Sequence, residues 1–126
     1  MTRRVGAWAP AILWAAVLYL LSSRSSLPIP GIPGIDKVGH FFAYLILGFL
    51  CARATSRLAV SPLFAVAAGW VYGALDEFHQ SFVPGRDSSA GDWLADAVGV
   101  AVGVSLFLLF HRVNSRTSLG GPAPDQ

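Results

Sequence analysis

Residues 5–21, VGAWAPAILWAAVLYLL, carry no charged side chain, and a run of that kind leaves a chain few folding options. About 20 apolar residues in an α-helix cross the hydrocarbon of a bilayer, where the backbone has to satisfy its own hydrogen bonds. Three more apolar blocks follow: VGHFFAYLILGFLCA from Val38, SPLFAVAAGWVYGAL from Ser61 and AVGVAVGVSLFLLF from Ala97. Hydrophobic residues make up 54% of the 126 and charged residues only 13%, about half the charged share of a soluble domain. The apolar residues fall in bilayer-length blocks instead of a helical stripe, which disfavours a small soluble helical domain. The expectation is an all-α, polytopic membrane protein, a compact bundle of four transmembrane helices.

Punctuation between the blocks sets the boundaries. Trp8 and Tyr19 flank the first run, near 5–22, where amphipathic rings suit the interface. It reads as a span, because it exceeds a usual signal core and SSRSSLPIP offers no clear small-x-small cleavage site. The Ser, Pro and Gly residues of SSRSSLPIPGIPGI predict a loop. Asp36 is the expected cap of a second helix over 37–54. RATSR then reads as a tight basic turn, leading into a third helix over 58–80 with Pro62 in its first turns. Pro84 and Gly85 break the chain before a fourth helix over 91–110. One membrane domain over 1–112 is expected, and the polar, Gly/Pro-containing stretch 113–126 reads as a disordered cytoplasmic tail.

Charge placement orients the bundle. With four spans, Arg3, Arg4, Arg53, Arg57, Arg112 and Arg116 share a side with a single acid, Asp125, and the other acids lie opposite. The positive-inside rule then puts both termini in the cytoplasm. There is no basic stripe or stacking platform on an aqueous surface, so nucleic acid is not an expected partner. Cys51 is the single cysteine, which excludes an intrachain disulfide and reads as a small apolar packing residue.

The outward ends of three helices carry costly groups. Lys37, His40 and Tyr44 are spaced three and four apart, as are Tyr72, Asp76, His79 and Gln80 on the next helix and Asp92 and Asp96 on the last. Polar stripes at membrane depth avoid hydrocarbon by facing each other. A packing network of buried ion pairs is one reading, with Asp92 as a plain helix cap. A site is favoured because apolar side chains would join the helices without the desolvation cost.

In the site reading Asp76, Glu77, His79, His40 and Asp92 are candidates for proton transfer or orientation, and Lys37, Tyr44, Tyr72, Gln80, Arg86 and Asp96 for ligand binding. Glu77 points about 100° from Asp76, so an interface position competes with a site position. Arg86, in VPGRDSS, offers a planar fork for phosphate or carboxylate. No cofactor is expected. A divalent metal is the minor option, since two histidines and several acids suit one while no H-E-x-x-H, paired-cysteine or calcium-loop pattern is present. Gly69 with Gly73, and Gly99 with Gly103, form G-x-x-x-G pairs that read as packing within the subunit, with a homodimer as the second reading.

The stretches DKVGHFFAYLILGFL and YGALDEFHQSFVPGRDSSAGDWLADAVG, with the glycine-containing helix after them, resemble the VanZ-like family of small bacterial membrane proteins. The similar positions are Lys37, His40, Tyr44, Asp76, Glu77, Gln80, Pro84, Gly85, Arg86, Asp92 and Gly99, with His79 compatible and Asp96 standing where Asn is common. The resemblance implies a cell-envelope protein of the bacterial cytoplasmic (inner) membrane and, through the family's named member, a link to teicoplanin susceptibility. The combined expectation is an outward-facing pocket that binds or modifies a phosphate- or glycan-bearing envelope lipid, with enzymatic turnover left open. A scaffold in envelope assembly and a small transporter are the alternatives.

Overall fold

A computed structural model describes residues 2–25 and 31–119, with side chains at 4–25 and 31–116. Four helices follow one another: α1 (Thr2–Ser22), α2 (Ile35–Arg57), α3 (Leu63–Gln80) and α4 (Ala90–Leu119). The C-terminal ends of α1 and α3 meet through Ser23 and His79, the N-terminal ends of α2 and α4 meet through Lys37 and Asp92, and Glu77 beside His40 brings the end of α3 to the start of α2. α2 packs on all three other helices, and α4 lies against α2 and α3. Among the described residues, three helices are long and apolar enough to cross a membrane, over Arg4–Ser22, Ile35–Arg57 and Ala90–Arg116.

Several boundaries depart from the sequence reading, each for a local reason. RATSR is the last part of α2 and not a turn, because Arg53, Ala54 and Arg57 favour helix. The chain reverses at 58–62, where Ala59 adopts φ 53°. Val60 N–H there bonds Thr55 O at 2.9 Å and Ala59 N–H bonds Ser56 O at 3.2 Å, the paired bonds of a Schellman ending. Pro62 precedes α3 instead of lying inside it. Asp36 does not cap α2: Gly34, at φ 80°, holds the N-cap position without a side-chain bond. α4 continues past Phe110 through HRVNSRTSL; residues 120–126 of the expected tail lie outside the described residues.

The core is a seam between α2 and α4. Val100, Tyr44, Leu47, Ala52 and Val104 are buried, with Ala11 and Leu18 of α1 packed on the same cluster. A Cβ at Gly99 would strike the Phe41 carbonyl oxygen, and one at Gly103 the Leu45 carbonyl oxygen. Gly48 meets the Val100 backbone in the same way. The Gly99/Gly103 pair is therefore used within the chain, to bring two backbones together. Large apolar side chains such as Ile12, Leu13, Phe42, Phe64, Leu75 and Leu109 point outward, the arrangement expected where lipid is the solvent.

Candidate functional site

One turn of helix separates Lys37, His40 and Tyr44, so α2 offers them along a single edge. That edge faces acids from α3 and α4. Lys37 Nζ lies 3.1 Å from Asp92 Oδ1 and 3.3 Å from Asp36 Oδ2. His40 Nδ1 is 2.7 Å from Asp96 Oδ1, a hydrogen bond donated by whichever atom carries the proton, and 3.8 Å from Glu77 Oε1. The Tyr44 hydroxyl donates to Asp76 Oδ2 at 2.8 Å. Gln80 Nε2 donates to the same oxygen at 3.3 Å, and its Oε1 accepts from an Arg86 Nη at 3.2 Å. The polar stripes of α2, α3 and α4 converge on one cluster.

The loop between α3 and α4 holds Arg86 in place. Arg86 N–H bonds Val83 O at 3.2 Å, closing a turn with Pro84 second and Gly85, at φ 77°, third; a type II turn favours those residues at those positions. Ser89, which sequence reasoning passed over, begins α4: its hydroxyl accepts from the Asp92 N–H at 3.1 Å. Its own N–H donates to Glu77 Oε2 at 3.2 Å. The spacing Ser89-x-x-Asp92 before an apolar run was the signal for this cap. Asp92 is thereby free of capping and directs its carboxylate at Lys37.

Two sequence candidates stand elsewhere. His79 Nε2 is 3.0 Å from the Ser23 hydroxyl, with its ring 4.8 Å from that of Tyr19. Tyr72 donates its hydroxyl to the Ala15 carbonyl, although its ring approaches Tyr44 at 6.2 Å. Both tie α3, or its end, to the α1 side of the bundle. Glu77, whose direction left its role open, joins the cluster because the end of α3 lies between α2 and α4 and uses two faces.

Burial makes this arrangement costly. Asp96 is 1% exposed, Asp92 4%, Asp76 6% and Glu77 8%. Among the described residues, Asp76 Oδ1, Glu77 Oε1 and Asp96 Oδ2 are buried with no hydrogen-bond partner. His40, Glu77 and Asp96 also bring one potential ligand atom each to within 4.8 Å of the others, so the cluster could coordinate a metal ion with donors drawn from three helices. A search for local sequence patterns misses such a set, because no two of its members are near in the chain.

A cavity of about 610 Å³ adjoins the cluster. Leu18 and Leu21 of α1 and Val38 and Phe42 of α2 form its apolar wall, and His40, Asp76, Gln80, Arg86 and Asp92 its polar side. A second cavity of about 410 Å³ reaches Glu77 from the opposite side, between α3 and the start of α4.

These features define a helical membrane protein with a buried, acid-rich cluster at one end of its bundle. The chain belongs to the VanZ/LLP1 family, which it matches over residues 5–111. It is also similar to an uncharacterized protein of Schizosaccharomyces pombe, with 30% identity over 99 residues, 76% of this chain and 61% of that protein. The match thus spans less than two thirds of the curated relative's length. No solved structure matches the chain.

Proposed function

We propose that the cluster and its adjoining cavity bind the phosphate-bearing headgroup of a membrane lipid, with the acyl chains along the α1/α2 groove. The observation that carries this reading is Arg86. Among the described residues its guanidinium has no carboxylate within ion-pair distance, and Gln80 orients it at the polar side of a largely apolar cavity. An oriented guanidinium holds phosphate through paired hydrogen bonds, and an apolar groove beside it suits an amphiphile.

In this reading α3 is the fourth crossing. Its 18 residues reach roughly 27 Å, and its outward side carries Phe64, Trp70, Val71 and Leu75. Both termini then lie in the cytoplasm, and the cluster opens outward, toward the envelope in a bacterium. Asp76, Glu77, His40 and Asp92 orient the headgroup or move protons; a link to glycopeptide susceptibility follows if the lipid is a cell-wall precursor.

The scaffold reading draws on a different observation: the Lys37–Asp92, His40–Asp96 and Tyr44–Asp76 pairs each join two helices. Native mass spectrometry of the purified protein with anionic and zwitterionic lipids separates the two. Arg86→Ala is expected to remain folded and to lose retained anionic lipid by about tenfold or more, the effect of removing a charged hydrogen-bonding partner. Unchanged lipid retention in folded Arg86→Ala refutes the headgroup reading.

A further inference from the structure

The cluster holds more negative charge than its cations answer. Four carboxylates, those of Asp76, Glu77, Asp92 and Asp96, are buried. Lys37 pairs with Asp92, Arg86 bonds a neutral amide, and His40, even when protonated, faces both Asp96 and Glu77 with one nitrogen. Unpaired carboxylates in a low-dielectric interior are strongly disfavoured. Three oxygens of this excess, Asp76 Oδ1, Glu77 Oε1 and Asp96 Oδ2, have no hydrogen-bond partner, and the Asp96 side chain is 99% buried, being 1% exposed.

We propose that His40, Glu77 and Asp96 bind a single divalent cation of the zinc or manganese class. One imidazole nitrogen and two carboxylates suit a borderline cation. At metal–ligand lengths of about 2.0–2.2 Å, tetrahedral donors sit about 3.3–3.6 Å apart. The 2.7 Å and 3.8 Å separations from His40 Nδ1 fall on either side of that spacing, within reach of side-chain torsions. The Ser89 N–H holds the other Glu77 oxygen at 3.2 Å, the kind of outer partner that orients a ligating carboxylate. Lys37, a competing cation on the same edge of α2, is occupied by Asp92 and Asp36.

The site is reached from two sides, since His40 lines the larger cavity and Glu77 the smaller. Three protein donors leave a four-coordinate ion with one open position. That position would take a phosphate oxygen beside Arg86, a consequence that rests on the headgroup reading; binding of the ion does not.

The test uses untagged, full-length protein in lipid-free, phosphate-free detergent, stripped with a chelator and titrated with Co²⁺, then with competing Zn²⁺. One Co²⁺ per chain is expected, with visible ligand-field absorption that Zn²⁺ abolishes. Glu77→Gln and Asp96→Asn each weaken binding by about tenfold or more, while His79→Gln leaves it unchanged. Helicity and gel filtration check folding, and if Asp96→Asn fails to fold, Glu77→Gln decides. Absence of saturable Co²⁺ binding by folded protein, or wild-type affinity in folded Glu77→Gln, overturns the proposal. Neither result touches the lipid reading, which Arg86→Ala tests without added metal.

Discussion

Tyr44 is the largest of the fully buried side chains among the described residues, and its hydroxyl spends its hydrogen on Asp76 Oδ2. Removing that donor leaves a buried carboxylate with Gln80 alone on the same oxygen. Tyr44→Phe is therefore expected to destabilise the fold by about 1.5–3 kcal/mol, the range for a hydrogen bond to a charged group, read as a lowered denaturation midpoint in detergent. Residue spacing made the Lys37, His40 and Tyr44 edge legible in advance, because three- and four-residue steps place side chains on one helical face. It could not say which acid each would meet. Asp76 meets Tyr44 of α2, whereas Glu77 lies between His40 of α2 and Ser89 at the start of α4, and that choice depends on where α2 and α4 stand around the end of α3.

At the scale of elements, the close approach of α2 and α4 depends on positions that have no side chain. Gly99→Ala would drive a methyl group into the Phe41 carbonyl oxygen, with the Leu45 nitrogen at 3.1 Å. Both atoms are backbone, so relief requires the helices to separate. A loss of about 1–3 kcal/mol is expected, as for other overpacked cores. Gly39 supplies the contrast, since a Cβ there meets nothing within 4 Å; Gly39→Ala is expected to be neutral or to gain up to about 1 kcal/mol from helix propensity. Paired thermal melts in one detergent decide the comparison, and equal losses would contradict the packing account. The existence of four helices was evident from the apolar blocks, but their ends were less so. Arg53–Arg57 is helical because local preference extends α2 until Ala59 turns the chain.

For the whole molecule, the placement of basic residues predicts which end lies in the cytoplasm. Cys51, the single cysteine, is buried, so introduced cysteines can be followed against a quiet background. Ser88→Cys, at the end that holds the polar cluster, is expected to react with an impermeant maleimide added outside intact cells. Ser56→Cys, at the opposite end, is expected to react only after the membrane is opened. The reverse pattern would invert the orientation, and labelling of both on intact cells would contradict an even number of crossings.

Apolar block length, the helical repeat and the turn residues are local properties, and from them alone follow a helical membrane chain, its sequence of elements and the polar edges of three of its helices. Tertiary structure decided the partners: Lys37 with Asp92, His40 with Asp96 and Glu77, Tyr44 with Asp76, and His79 turned to Ser23. The reason is physical. Which side chains meet depends on the separation and rotation of neighbouring helices, and those are set by backbone contacts at Gly48, Gly99 and Gly103, residues that carry no side chain of their own.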